Sequence, residues 1–106
     1  MNAVNKKALD RYVSFISSID GVLQVYLFGS YAYGTPGDGS DIDLMVVIDD
    51  KLDVFKTSFI IQRGLANRFV PLDVLVNHKS AFYAAAEDTT LQAQIRNEGV
   101  LLYERE

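Results

Sequence analysis

No cysteine occurs in this chain, so disulfides and cysteine-ligated zinc are excluded. A single histidine, His78, rules out a histidine-rich metal site. Cations are scarce as well: ten Lys and Arg stand against fourteen Asp and Glu, a formal charge of −4. Non-specific nucleic-acid binding rests on cations that neutralise phosphates, so no strong nucleic-acid binding by this chain alone is expected. Nucleotide binding stays open, because a bound metal ion supplies its own positive charge. No apolar run is long enough to span a bilayer. The polar N-terminus reads as an amphipathic helix and not as a secretory leader. No membrane association and a cytoplasmic location are therefore expected. Repeats, low-complexity segments and linkers are absent too, so residues 1–106 read as a single domain. That length leaves no room for a second substrate-recognition domain. A large substrate must dock on the one domain or arrive with its own partner.

What is present is enough apolar content, 49%, to build a core. Leu9, Tyr12, Val13, Ile16 and Ile19 recur at helical spacing, which predicts an amphipathic helix over about 3–18. Asp20-Gly21 breaks it. Residues 22–28 read as a strand. The segment 29–40 holds four glycines and a proline and must be largely turn, with a short helix at about 30–33. A second strand is predicted at 41–48. A helix follows over about 53–68, with Phe55, Phe59, Ala66 and Phe69 on one rough face, read as core. Asp49 and Asp50 are placed to cap that helix. A third strand covers 72–76, with Pro71 at its entry, where a missing N–H costs little. Residues 77–80 read as a connector, with Ser80 capping a short helix through Phe82 and Tyr83. A last helix over about 88–98 stops at Gly99, and 100–103 forms a final strand or an extended tail. The order predicts a mixed α/β (α+β) domain: a small sheet flanked by helices.

Three carboxylates stand out. Side chains at i and i+2 of a strand share a face, so Asp41 and Asp43 point one way while Ile42, Leu44 and Val46 point the other. Their Cα atoms lie about 6.6 Å apart at that spacing. Two carboxylates about 5 Å apart repel by about 3 kcal/mol at an effective dielectric near 20. A Mg²⁺ ion between them reverses the sign, and Mg²⁺ takes carboxylates together with substrate phosphates and water. The bland reading of Asp41-Ile42-Asp43 alone is a solvated strand end. Asp73 is the third acid, within Val70-Pro71-Leu72-Asp73-Val74-Leu75-Val76. That strand looks buried, and a buried carboxylate needs a metal, a cation or backbone donors. The alternative is an edge strand with Asp73 in water.

The turn Gly29-Ser30 follows the first strand. Glycine permits positive φ and close approach of a ligand to the backbone. A helix opened at Ser30 presents N–H groups to phosphate. Alone this pair says almost nothing; a strand, Gly-Ser, ten residues, Asp-x-Asp and a later strand Asp together form a specific pattern.

At these residues the sequence resembles the minimal nucleotidyltransferase (MNT) family of the DNA polymerase beta-like nucleotidyltransferase superfamily. The matching text is Leu27-Phe28-Gly29-Ser30, Ser40-Asp41-Ile42-Asp43-Leu44 and Leu72-Asp73-Val74. The stretch from Ile95 through Gly99 to Glu104 also resembles the usual end of such proteins. The resemblance implies the nucleotidyltransferase fold and transfer of a nucleoside monophosphate from ATP or another NTP, with release of pyrophosphate. It implies that Gly29 and Ser30 bind the triphosphate and that Asp41 and Asp43 hold two Mg²⁺ ions, with Mn²⁺ as an alternative. Asp73 would complete the catalytic metal site and help deprotonate the acceptor hydroxyl. Many relatives are the antitoxin half of a pair with a HEPN-domain toxin, and some adenylylate (AMPylate) a tyrosine on it. A HEPN-type partner is thus the expected acceptor. The sequence departs from the family at Tyr33, where many relatives carry arginine in a G-S-x-A-R-G pattern. A cation that could meet phosphate is missing there; Arg63 and Arg68 are candidates to compensate, or form a solvated face.

Other residues carry weaker readings. His78 is a base by chemistry or an incidental loop residue, and Asp38 reads as solvated. Tyr31 and Tyr33 stack on a base or pack at the sheet edge. Two further functions compete with protein adenylylation: a non-catalytic antitoxin that masks its partner by contact, and a transferase acting on a small molecule.

Overall fold

The computed structural model describes residues 1–34, 41–84 and 90–105. Asn2 starts helix α1 (Ala3–Ser17) by accepting the Asn5 N–H at 2.8 Å. Gly21, at φ 91°, turns the chain into strand β1 (Val22–Phe28). The short helix α2 (Ser30–Tyr33) follows at once. Strand β2 (Ile42–Ile48), helix α3 (Val54–Gly64) and strand β3 (Leu72–His78) come next. Helices α4 (Lys79–Ala84) and α5 (Leu91–Glu98) precede strand β4 (Val100–Glu104). The expected final strand thus forms, and α5 is capped by Thr90, whose hydroxyl accepts the Ala93 N–H. Residues 88 and 89, assigned to that helix from the sequence, lie outside the described residues.

The strands form one mixed sheet in the order β3-β2-β1-β4. β1 runs antiparallel to both its neighbours, and β3 runs parallel to β2. Alternation along the strands creates two apolar faces. Ile42, Leu44, Val46 and Ile48 pack with Val25 and Leu27 under α1 and α3. Met45 and Val47 pack with Tyr26 on the other face, under Phe82 of α4 and Ile95 of α5. Helices therefore cover both faces of the sheet.

Four expectations need correcting. Phe55, Phe59 and Phe69 are not core: they are 85%, 63% and 96% exposed. α3 carries two apolar stripes, and the one turned to the sheet holds Thr57 and Ile61, continued by Leu65. Asp53, not Asp49 or Asp50, caps α3, accepting the Lys56 N–H at 2.9 Å. Asp49 accepts from the Lys51 N–H in the preceding turn, and Asp50 reaches across to the Ser80 N–H at 3.1 Å. Ser80 is thus held by a cap from elsewhere and caps nothing itself. β3 also runs two residues further than expected, taking in Asn77 and His78. The His78 Nε2 lies 2.6 Å from the Leu52 carbonyl, which fixes that nitrogen as the protonated donor and ties β3 to the loop before α3. This is a structural role.

The corrected face of α3 has a measurable consequence. Ile61→Ala should cost about 2–5 kcal/mol, whereas Phe55→Ser should change stability by less than about 0.5 kcal/mol. Paired urea denaturation curves check this.

Candidate active site

The candidate residues meet at one end of the sheet. β1 leaves the sheet at Phe28, which pairs with Asp43 in the ladder. Gly29 then adopts φ 75° and ψ −155°, a conformation open essentially to glycine alone. A Cβ on Gly29 would stand 2.0 Å from Asp43 Oδ2. The backbone of the turn is thus pressed against the Asp43 carboxylate, and no other residue type fits there. The Gly29 carbonyl accepts the Ala32 and Tyr33 N–H groups at 3.0 Å each, which closes α2 directly behind Ser30. Ser30 is half-buried at the first position of that turn.

Asp43 and Asp73 are register partners in the parallel β2–β3 ladder. Partners of neighbouring strands lie about 4.8 Å apart and project to the same face. Asp41 lies one residue before β2, near enough for its charge to act on Asp43. The Ile42 N–H donates to the Pro71 carbonyl at 2.9 Å, which locks the start of β2 to the entry of β3. Asp41 and Asp73 are exposed and Asp43 is half-buried. The expectation of a buried Asp73 strand is therefore wrong. β3 is the edge of the sheet, and its Leu-Val-Leu-Val text reflects one covered face, with Leu72 and Val76 buried while Leu75 is 40% exposed. Sheet order is a long-range property that an apolar run does not encode.

The electrostatics centre on Asp43. Burial raises the Asp43 carboxyl above its usual range, and the negative charges of Asp73 and Asp41 raise it further. Among the described residues, no three Asp, Glu, His or Cys side chains already converge on one point as a ligand set. Asp43 and Asp73 instead share a face at one end of the sheet, and the charges of Asp73 and Asp41 both bear on Asp43. Carboxylate oxygens are hard donors suited to Mg²⁺, and a divalent cation would remove the repulsion Asp43 bears. The residues present therefore fit such an ion.

Tyr33 lies beside these groups. Burial raises its hydroxyl pKa; the Gly29 amide acts against that, and the charges of Glu98 and Asp43 add to the rise. Tyr33 thus stands near the acids, where the related pattern has arginine. Glu98, at the end of α5, escaped the sequence reading: nothing local links a helix-end glutamate to a turn far upstream. Tyr31 turns the other way, packing on the α1 side of the core, and its hydroxyl accepts from Asn5 Nδ2 at 2.6 Å. Arg68 lies beyond the end of α3, where Nη1 donates to Gln62 Oε1 and the Leu65 carbonyl. Arg63 is exposed in the last turn of α3. Asp38 and Ser40 lie outside the described residues.

A family model described as polymerase beta, nucleotidyltransferase matches residues 12–106, and the chain belongs to that family. The mixed sheet flanked by helices is that fold. Among solved structures, a Sulfolobus solfataricus protein assigned to the nucleotidyltransferases is similar, at 24% identity and TM-score 0.66, over 93% of this chain and 79% of the other. A toxin–antitoxin complex with AMP-PNP matches at 23% identity and TM-score 0.55, over 96% of this chain and 75% of the other. A complex of tri-AMPylated Shewanella oneidensis HEPN toxin with its MNT antitoxin matches at 21% identity and TM-score 0.52, over 99% and 74%. These three likenesses concern the fold. Among curated proteins none matches the sequence significantly.

Two outcomes follow from the geometry. Gly29→Ala forces a glycine-only conformation on alanine and should lose about 1–3 kcal/mol, as read from thermal melts. Asp43→Asn should raise the melting temperature of metal-free protein near neutral pH. The sign follows from the raised pKa: folding disfavours the ionised form, so the penalty exists above the carboxylate range and vanishes as pH falls through it. Melts of both proteins in EDTA across pH should converge on acidification.

Proposed function

We propose that this protein is a Mg²⁺-dependent nucleotidyltransferase that moves AMP from ATP to a hydroxyl of a partner protein, a HEPN-type toxin, and so acts as its antitoxin. The observation that carries the reading is the packing of Gly29 against Asp43, with Asp73 as the register partner of that same carboxylate. A turn that admits only glycine, set against an acid cluster, suits a triphosphate brought in with its metal ions. Membership in the nucleotidyltransferase family supports the reaction class, and the AMP-PNP and AMPylated-toxin complexes of structural neighbours support the donor and acceptor.

In this reading Gly29 and Ser30 hold the triphosphate, and Asp41, Asp43 and Asp73 hold Mg²⁺. Bound there, the metal supplies charge stabilisation for the transferring phosphoryl group. Asp73 accepts the proton of the acceptor hydroxyl; its exposure on the edge strand leaves it open to a protein-borne group. The hydroxyl oxygen forms a bond to the α-phosphorus. The bond from that phosphorus to the bridging oxygen breaks, and pyrophosphate leaves with the electron pair.

A second reading has its own observation: Tyr33 replaces the usual cation beside the turn, which favours an antitoxin that masks its partner by contact alone. The two separate in one experiment. The protein is mixed with the HEPN-domain protein encoded beside it, ATP and Mg²⁺, and the partner is then purified away. Catalysis predicts a partner that carries AMP by intact mass and stays inactive. Asp73→Asn should slow that modification by about 10²-fold or more while the complex still forms. An unmodified partner that regains activity would favour masking, and a gene neighbourhood without a HEPN-domain protein would contradict the partner assignment.

A further inference from the structure

The two edges of the sheet are built differently. β4 is five residues long, ends in Glu104, and its ladder with β1 slips register between Val25 and Tyr26. Short length, an end charge and irregular register all discourage a further strand from pairing. β3 is less guarded. It runs seven residues in unbroken register with β2. Pro71 stands before it and Lys79 after it, so neither residue type interrupts it. Among the described residues no strand lies on its outer side, which leaves a row of backbone N–H and C=O groups facing outward. Leu75 stands exposed in the middle of that row, and Asp73 is its one carboxylate.

A groove of about 660 Å³ opens on the same edge. Val76, Asn77 and His78 all line it, although consecutive strand residues point to opposite faces. Phe55 of α3 reaches it from one face of the sheet and Ala81 of α4 from the other. A space bounded from both faces lies at the margin of the strand. Phe55, 85% exposed, gives it an apolar wall that the core does not use.

An extended chain fits both features. Its backbone groups would pair with the open row, as an added strand does. A residue paired with Asp73 would lie about 4.8 Å away and project to the face that Asp73 shares with Asp43. About three to five residues further along, a side chain would reach the groove beside Phe55. A helical segment has its backbone groups already paired and cannot use the row. A second copy of this chain would bring another charge of −4 and cover Asp73 with its own strand.

We propose that the acceptor segment binds as an added strand on the free edge of β3, with its hydroxyl residue across from Asp73 and an apolar residue in the groove at Phe55. The inference rests on the reading above that the acceptor is a protein. Hydrogen–deuterium exchange tests it, on the full chain alone and in ATP-free complex with the HEPN-domain protein encoded beside it. Amides within 72–78 should exchange about tenfold more slowly in the complex, while those of 100–104 stay unchanged. One partner segment should be protected with them, and AMP should appear on a hydroxyl of that segment once ATP and Mg²⁺ are added. Phe55→Ser should lower kcat/KM for the partner about tenfold, with melting temperature and ATP affinity unchanged. Phe59→Ser, on the same helix but outside the groove, should leave transfer at the wild-type rate. Unchanged exchange at 72–78, protection that grows with the concentration of this chain alone, or wild-type transfer by Phe55→Ser would each overturn the proposal; AMP on the partner in those cases would leave the transferase reading standing. A partner that protects β3 yet never acquires AMP would do the reverse, removing the transferase reading and keeping the docking edge.

Discussion

The pairing of β2 with β3 is the constraint on which the site depends. Parallel register sets Asp43 beside Asp73, and the β1–β2 ladder brings Gly29 against the same carboxylate. Like charges side by side are unfavourable in a sheet. The fold accepts this because the rest of both ladders is apolar and buried: Leu44, Met45, Val46, Val47 and Ile48 are all fully covered. Helices on both faces hold the register, so the acids cannot drift apart by strand slippage, which would turn every β2 side chain to the opposite face.

The edge position of β3 gives the site its second property. An edge strand leaves Asp73 open to water and to whatever approaches along the sheet margin. A buried third acid would serve only a small substrate. An exposed one is open to an acceptor group carried on another protein.

Much of this arrangement could be read from the residues themselves. Asp20-Gly21 and Gly29-Ser30 bracket β1, and both breakers work through local backbone chemistry: Gly21 and Gly29 are the described glycines with positive φ. The side of β2 on which Asp43 stands, opposite Ile42 and Leu44, followed from strand periodicity, and the nucleotidyltransferase fold from the spacing of the Gly-Ser turn and the acids. What failed was non-local. Periodicity shows that α3 has an apolar stripe but not which of two stripes meets the sheet, so Phe55 and Phe59 were placed inside. An apolar run does not reveal whether its strand is central or at the edge, so Asp73 was expected to be buried. Asp50 and Ser80 are thirty residues apart and meet only once β2 and β3 align. Glu98 reaches the neighbourhood of Tyr33 for the same reason.

The central claim is that the acid cluster becomes a nucleotide site only when a divalent cation joins it. Calorimetric titration of the protein with ATP, in Mg²⁺ and again in excess EDTA, tests it most directly. The account predicts binding in Mg²⁺, retained with Mn²⁺, and none in EDTA, where triphosphate and carboxylates repel. Equal affinity in EDTA would contradict it.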